Sequence, residues 1–396
     1  MDIKRNRWLL PEGIEEVLPP DAYQLDAMCR AFTDQFRAWG YELVMPPLIE
    51  YLESLLTGTG EDLELQTFKI TDQLTGRMMG IRADTTPQVA RIDAHNLKRD
   101  TPTRLCYVGS VLHTRPTGPG GTRAPLQVGA ELYGHAGPES DAEIVALMLK
   151  TLQLSGLGNV HVDLGHVGIY RSLVQTLELP PEREQLLFQA LQKKDGTELR
   201  RVAAEWKLSA DMTAVVLGLN ELHGDHAVLG ESRKTLKKLG QAALACIDDL
   251  ERIAELTQKQ VRGMPLFFDL AELRGYHYHT GMMFTAYVPG RGQAVAGGGR
   301  YDDIGRAFGH PRPATGFSTD IRNLFELASP PPLTRECVFA PSSEVPGLYE
   351  AIDALRADGA RVISQLPGQT GGAREMGCSR ELYLDGGRWK VRDVNG

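Results

Sequence analysis

The sequence predicts an α+β fold: an antiparallel sheet flanked by helices, a helical insertion, and a small C-terminal α/β domain. Three observations predict it. One amphipathic helix precedes a series of short strand signals joined by turn residues. From Gly165 to Gln258 the pattern changes to helices almost throughout, and strand signals then return. Beyond Pro330-Pro331-Pro332, strand, helix, strand and hairpin signals follow in a short tail. The expected domains are therefore 1–329, with an insertion at about 165–258, and 330–396.

From Asp21 to Trp39, Leu25, Met28, Phe32, Phe36 and Trp39 recur at spacings of three and four, after Pro19-Pro20 and before Gly40. Tyr41 to Pro47 reads as a strand stopped by prolines, which cannot donate to a sheet ladder. Thr67–Thr71 and Met78–Ala83 flank Leu74-Thr75-Gly76-Arg77 and predict a β-hairpin. Leu105–Val111 and Leu126–Tyr133 are further strands, Ala142–Leu154 a helix, and Val160–Leu164 a strand. Within the insertion, Leu236, Leu239, Ala243, Cys246, Leu250 and Ile253 form one apolar face, best read as core packing. Leu266–Leu270 and Gly281–Val288 are strands, Gly297-Gly298-Gly299 a turn between strands, and about Thr319–Leu327 a helix. The tail gives strands at Cys337–Ala340 and Arg361–Gln365, a helix at Leu348–Ala357, and a hairpin near Gly386-Gly387.

With 396 residues, 42% hydrophobic and 24% charged, the chain has material for a large core, and disorder is excluded. Lys plus Arg number 43 against 51 Asp plus Glu, a net charge of -8, so no global positive field draws it to nucleic acid. The five cysteines, at 29, 106, 246, 337 and 378, show no C-x-x-C spacing, so neither a zinc ribbon nor a redox pair is expected. The charged, proline-bearing start is unlike a signal peptide, and no stretch approaches the ~20 apolar residues of a membrane span. A reducing cytoplasm and no membrane contact are the expectations.

A free amino acid offers an ammonium, a carboxylate and a side chain, so a pocket for one needs carboxylates, a cation and shaped polar groups. Asp84 and Glu131 suit the ammonium and Arg274 the carboxylate. Several stretches carry a family likeness. GIEEVLPPDA and YELVMPPLIEY, IRADTTPQVAR, LQVGAE, LRGYHYHTG and GGGRYDD together resemble histidyl-tRNA synthetase, a class II aminoacyl-tRNA synthetase, from about Gly13 to about Leu327. The resemblance implies a class II synthetase-like antiparallel sheet and a homodimer formed around the first motif, with Pro47 at the motif proline. It also implies a histidine-like pocket of Asp84, Thr86, Gln127, Glu131, Arg274, Tyr278 and His279.

The departures from that family are specific. Its second motif holds an arginine on the α-phosphate of ATP, a task suited to a planar guanidinium. Here Leu112-His113-Thr114 stands in that place, one residue shorter. Its third motif ends in arginine where this chain has Asn323; Arg322 is adjacent, but one helical step rotates a side chain by ~100°. Asp320 replaces a glycine, and His277 and His279 replace an aspartate and a tyrosine of the histidine-reading motif. The tail is also shorter than the synthetase's anticodon-binding domain, which with the net charge predicts no tRNA binding.

VLHTRPTGPGGTRAPLQVGAELYG, AGGGRYDDIGRAFG and ATGFSTDIRNL resemble the corresponding motifs of the ATP phosphoribosyltransferase regulatory subunits, synthetase paralogues without aminoacylation activity. That resemblance implies a noncatalytic subunit with no cofactor. Its partner is the short-form catalytic subunit, in a hetero-oligomer that contains the homodimer. The complex performs the first step of histidine biosynthesis, with histidine as feedback effector. An active histidyl-tRNA synthetase or histidine-adenylating enzyme, and a histidine sensor with another partner, are the alternatives. His277-x-His279 has no third ligand, so no metal site is expected, and no Lys-Ser/Thr follows the glycine run, so a P-loop is excluded.

Overall fold

The computed structural model describes residues 8–58, 60–116, 118, 121–276, 278–328 and 337–394. His277 and the Pro330-Pro331-Pro332 stretch lie outside the described residues. The chain divides into two compact units, Met1–Pro330 and Pro331–Gly396.

In the larger unit the first helix runs Asp21–Ala38 and buries Leu25, Phe32 and Phe36, the face its spacing marks. Phe36 meets Phe317 of the sheet edge-on, ring centroids 6.0 Å apart. That sheet has nine strands, in the order Glu42–Leu43, Thr103–Ser110, Leu126–Tyr133, Ala314–Asp320, Ala296–Arg300, Met282–Tyr287, His161–His166, Leu266–Asp269 and His223–Gly224. Neighbours are antiparallel except Glu42–Leu43 beside Thr103–Ser110 and His161–His166 beside Leu266–Asp269. The predicted hairpin is present as Phe68–Thr71 and Met78–Ile81, and Ile49–Tyr51 adds a third strand to it.

Between Val167 and Gln260 the insertion is built of helices, with one two-residue strand, His223–Gly224, joining the main sheet. Local chemistry sets its helix starts: the Asp195 side chain accepts from the N–H groups of Thr197 and Glu198, and Ser209 from that of Met212. Leu236, Leu239, Ala243, Cys246, Leu250 and Ile253 are all buried, across the break that Gly240 makes between helices.

Four expectations need correction. The strand read over Tyr41–Pro47 shrinks to Glu42–Leu43, because Pro46 and Pro47 have no N–H to extend the pairing. Gly297–Gly299 form no turn; they lie inside the strand Ala296–Arg300. The reason is close approach: a Cβ on Gly298 would collide with the Gly316 carbonyl and come within 2.8 Å of the Phe284 ring. Ala314–Asp320 is a strand that the sequence reading does not assign, and the helix expected from about Thr319 starts after it, at Ile321. Lastly, two cysteines do pair. In the C-terminal unit Cys337 and Cys378 form a disulfide, their Cα atoms 4.5 Å apart and their positions 41 residues apart. Strand pairing brings them together, which local spacing cannot reveal.

The C-terminal unit orders its strands Arg361–Ser364, Cys337–Ala340, Arg380–Asp385, Arg388–Asp393, the first three parallel. Helix Leu348–Ala357 buries Leu348 and Ile352 against Val338, Ala340 and Leu382.

Candidate functional site

Side chains two apart on a strand share a face, so Gln127, Gly129 and Glu131 point the same way from Leu126–Tyr133. Tyr107 pairs with Gly129, and Gly316 on the other neighbouring strand pairs with Glu131. The two glycines make the room. A Cβ on Gly129 would collide with the Tyr107 hydroxyl, and one on Gly316 with the Glu131 carboxyl.

Glu131 is 1% exposed. Its Oε1 accepts from Thr86 Oγ1 at 3.1 Å and from the Tyr107 hydroxyl at 3.0 Å, and its Oε2 accepts from the Tyr301 hydroxyl. Burial pushes its pKa up to about 8; the Tyr301 hydroxyl pulls against burial and the Asp84 charge adds to it. A carboxyl so placed is largely protonated at neutral pH and ionises readily when a cation arrives beside it. Asp84, half-buried, joins this group through Thr86 and Gln127. Its Oδ1 accepts from the Thr86 N–H at 3.1 Å and from Gln127 Nε2 at 2.8 Å, while Gln127 Oε1 accepts from the Thr85 N–H at 3.0 Å.

The aromatic wall follows. Tyr278 stacks on Tyr301 with ring centroids 5.1 Å apart and meets His279 edge-on at 5.5 Å. The Tyr278 hydroxyl and His279 Nδ1 are buried with no protein hydrogen-bond partner among the described residues. Burial lowers the His279 pKa to about 4, so its ring is neutral and can offer or accept one hydrogen bond without charge.

Six of the seven residues implied by the sequence therefore converge: Asp84, Thr86, Gln127, Glu131, Tyr278 and His279. Arg274 does not join them. Its Nε holds both Glu272 carboxylate oxygens at 3.0 Å, and its guanidinium lies over the Tyr287 ring, 5.3 Å from the centroid. Burial favours a raised pKa for Glu272, but the Arg274 bonds outweigh it and the pKa is lowered, so this cation is committed to an anion already present. Tyr107 and Tyr301 are the site residues that sequence reasoning missed. Tyr107 lies in the predicted strand Leu105–Val111 and Tyr301 in GGGRYDD, and with Thr86 they are the side chains that donate to the buried Glu131 carboxyl.

Beside this pocket lies a cleft of about 440 Å³ whose walls include His113, Gln127, Arg291, Asp320, Arg322 and Asn323. It occupies the position of the altered second and third motifs. His113 is pinned by its ring Nε2, 2.9 Å from the Ala83 carbonyl oxygen. Arg322 Nη1 donates to the Glu15 carbonyl at 3.0 Å, and Asp320 accepts from the N–H groups of Leu126 and Arg322, both at 3.0 Å. Two guanidiniums on these walls face three carboxylates, those of Glu15, Asp320 and Glu326, which is the wrong balance for a triphosphate. Among the described residues no group of three His, Cys, Asp or Glu side chains is placed to hold a metal ion, and no helix is long and apolar enough to cross a membrane.

A family model described as histidyl-tRNA synthetase matches residues 13–324. A second, the ATP phosphoribosyltransferase subunit HisZ C-terminal domain, matches 335–392. The ATP phosphoribosyltransferase regulatory subunit of Thioalkalivibrio sulfidiphilus is 55% identical over 391 residues, covering 98% of this chain and 99% of that protein. This chain belongs to the ATP phosphoribosyltransferase regulatory subunit family. The regulatory subunit of Alkalilimnicola ehrlichii is 53% identical over 394 residues, covering 99% of this chain and 98% of its own. Among solved structures, one described as an ATP phosphoribosyltransferase regulatory subunit/histidyl-tRNA synthetase from Bacillus halodurans superposes with a TM-score of 0.82 at 28% identity, over 93% of this chain and 96% of that one. A histidyl-tRNA synthetase from Nostoc gives 0.80 at 17% identity, over 98% and 95% of the two chains, a likeness of fold. The architecture is thus the class II synthetase-like α+β fold that the motifs imply.

Proposed function

We propose that this chain is a noncatalytic regulatory subunit of ATP phosphoribosyltransferase, acting with the short-form catalytic subunit in the cytoplasm, in the first step of histidine biosynthesis. Histidine is its feedback effector, held in the pocket of Asp84, Thr86, Gln127, Glu131, Tyr278 and His279. The observation that carries this reading is the contrast within one site. The Glu131 group keeps the partners an ammonium needs, while the adjoining cleft has His113 and Asn323 where transfer chemistry on ATP needs cations. The Asp84–Gln127 pair sits where a ligand ammonium gains a second acceptor. Arg274 is unsuited to the carboxylate while Glu272 holds it, so a ligand carboxylate reaches this guanidinium only by displacing Glu272.

Assembly begins with a homodimer. Leu43, Met45, Leu48 and Ile49 are all exposed on the stretch that resembles the synthetase dimer motif, an apolar run that association would cover. Light scattering at micromolar concentration is expected to give twice the chain mass; a monomer removes the dimer from the proposal.

The deciding experiment mixes the purified chain with the short catalytic subunit and follows phosphoribosyl transfer with and without histidine. Activity that depends on the chain and falls with histidine is expected. The synthetase alternative is not favoured, and it predicts histidine-dependent pyrophosphate exchange well above background; the expected rate is background.

A further inference from the structure

Tyr278 and His279 reach the pocket on the loop from Leu273 to Thr280, and this loop is gripped from the side by the helical insertion. Arg171, on helix Val167–Leu177, donates through Nη2 to the His279 carbonyl at 2.8 Å and through Nη1 to the Thr280 carbonyl at 3.3 Å. Its guanidinium also lies 5.4 Å from the centre of the Tyr276 ring. The Tyr276 hydroxyl donates to Glu184 Oε1 at 3.0 Å, from the next helix, Pro181–Gln192. Tyr170 packs edge-on against Tyr276 with centroids 5.0 Å apart and donates to the Glu184 carbonyl at 2.7 Å. On its other side the loop is tied to the sheet by the Thr280 N–H, which donates to the Arg300 carbonyl at 2.7 Å.

A planar fork that spans two successive carbonyls fixes the orientation of the peptide between them, and here that peptide follows His279 directly. The same loop turns at Gly275, whose carbonyl accepts from both the Tyr278 and His279 N–H groups at 2.8 Å. There is little slack, since a Cβ on Gly275 would stand 2.8 Å from the His279 ring. Displacing either insertion helix therefore carries His279 and Tyr278 with it, and Tyr278 stacks on the tyrosine that donates to Glu131.

We propose that Arg171, Tyr276 and Glu184 are positioning residues through which the helical insertion sets the affinity of the pocket for its amino-acid ligand. The inference rests on the reading of that pocket as the histidine site. Any contact the insertion makes in the hetero-oligomer then changes ligand affinity, and by reciprocity ligand binding changes that contact.

The test uses the full chain in two assays: histidine binding to the chain alone by calorimetry, and histidine inhibition in the reconstituted complex. Arg171→Met and Tyr276→Phe are compared with Arg171→Lys and with Glu131→Gln as the pocket control. Arg171→Met and Tyr276→Phe are expected to weaken both binding and inhibition by roughly 10-fold, within the usual range of coupling between sites, with the uninhibited rate unchanged. Arg171→Lys, which keeps the charge but loses the fork, is expected between wild type and Arg171→Met. If Glu131→Gln weakens binding while Arg171→Met and Tyr276→Phe leave it at the wild-type value, the positioning role is overturned and the pocket assignment stands. If Glu131→Gln also leaves binding and inhibition unchanged, the pocket assignment itself fails, and the inference with it. Should Arg171→Met lose its helical circular dichroism, Tyr276→Phe decides alone, because it removes one hydroxyl and no packing volume.

Discussion

The Glu131 pocket and the cleft beside it share a wall at Gln127, yet their interiors are built oppositely. In the pocket three hydroxyls converge on one group: Thr86, Tyr107 and Tyr301 all donate to one buried carboxyl. In the cleft the guanidinium nearest the third motif, that of Arg322, is spent on the Glu15 carbonyl, and His113 on that of Ala83. A synthetase needs both halves, because amino acid and ATP must meet. A sensor needs one. Loss of chemistry in this fold therefore asks for no new architecture, only for cations to be missing after the strand Thr103–Ser110 and from the helix Ile321–Ala328, while the strand of Gln127 and Glu131 is kept.

Four substitutions sharpen that contrast, beginning with the largest effect. Gly316→Ala sets a methyl group into the Glu131 carboxyl, so the strand or the carboxyl must shift. A loss of about 3 kcal/mol or more in urea unfolding is expected, together with loss of histidine binding.

The second is a pH profile. The Glu131 pKa is about 8 in the folded chain against an ordinary 4.5, so between those values the folded chain holds a proton the unfolded chain has released, and stability falls as pH rises through the window. His279, lowered to about 4 from 6.5, acts in the opposite direction below pH 6.5. The cleanest range is thus pH 6.5 to 8, where wild type is expected to lose on the order of 1 kcal/mol per pH unit. Glu131→Gln should flatten that slope, and an unchanged slope would mean the carboxyl is not what titrates.

Third, Gln127→Ala on the shared wall leaves the Thr85 N–H without its acceptor and Asp84 without one donor. A cost of roughly 1–2 kcal/mol is expected by thermal unfolding at pH 7. Last, Gly297→Ala on the cleft side meets only the Phe284 carbonyl oxygen at 3.4 Å, an ordinary contact. It should change stability by no more than ~0.5 kcal/mol. A large loss there would show the cleft to be as tightly built as the pocket.

Much of this was legible in the sequence, and its limits have physical causes. Helices with a clear apolar face, such as Asp21–Ala38, announce themselves through spacing alone. Ala314–Asp320 and Ala296–Arg300 did not, because a strand buried between neighbours is chosen for smallness, and glycine carries no period-two signal. The same holds within the site. Asp84, Thr86, Gln127 and Glu131 stand in matching stretches, but their acceptors and donors become visible only when strands are laid side by side. Arg274 shows the converse: residue type suited it to a carboxylate, and Glu272, two residues away, supplied one first. The cysteine pair escaped for a related reason, since 41 residues of chain separate its members.

The bond between Tyr301 and Glu131 joins residues 170 positions apart, and the whole helical insertion lies between them. Contacts of such separation are slow to form, because closing a long loop costs chain entropy before any contact rewards it. During synthesis the carboxyl emerges long before its tyrosine does. Until then it has no Tyr301 to help keep it buried, and a nascent chain ending before residue 301 has an incomplete pocket however well its helices have formed. On the proposed reading, occupancy of the pocket is in that sense a readout of completed folding, since the strand of Glu131 and the residue after the strand Ala296–Arg300 must first meet across the insertion.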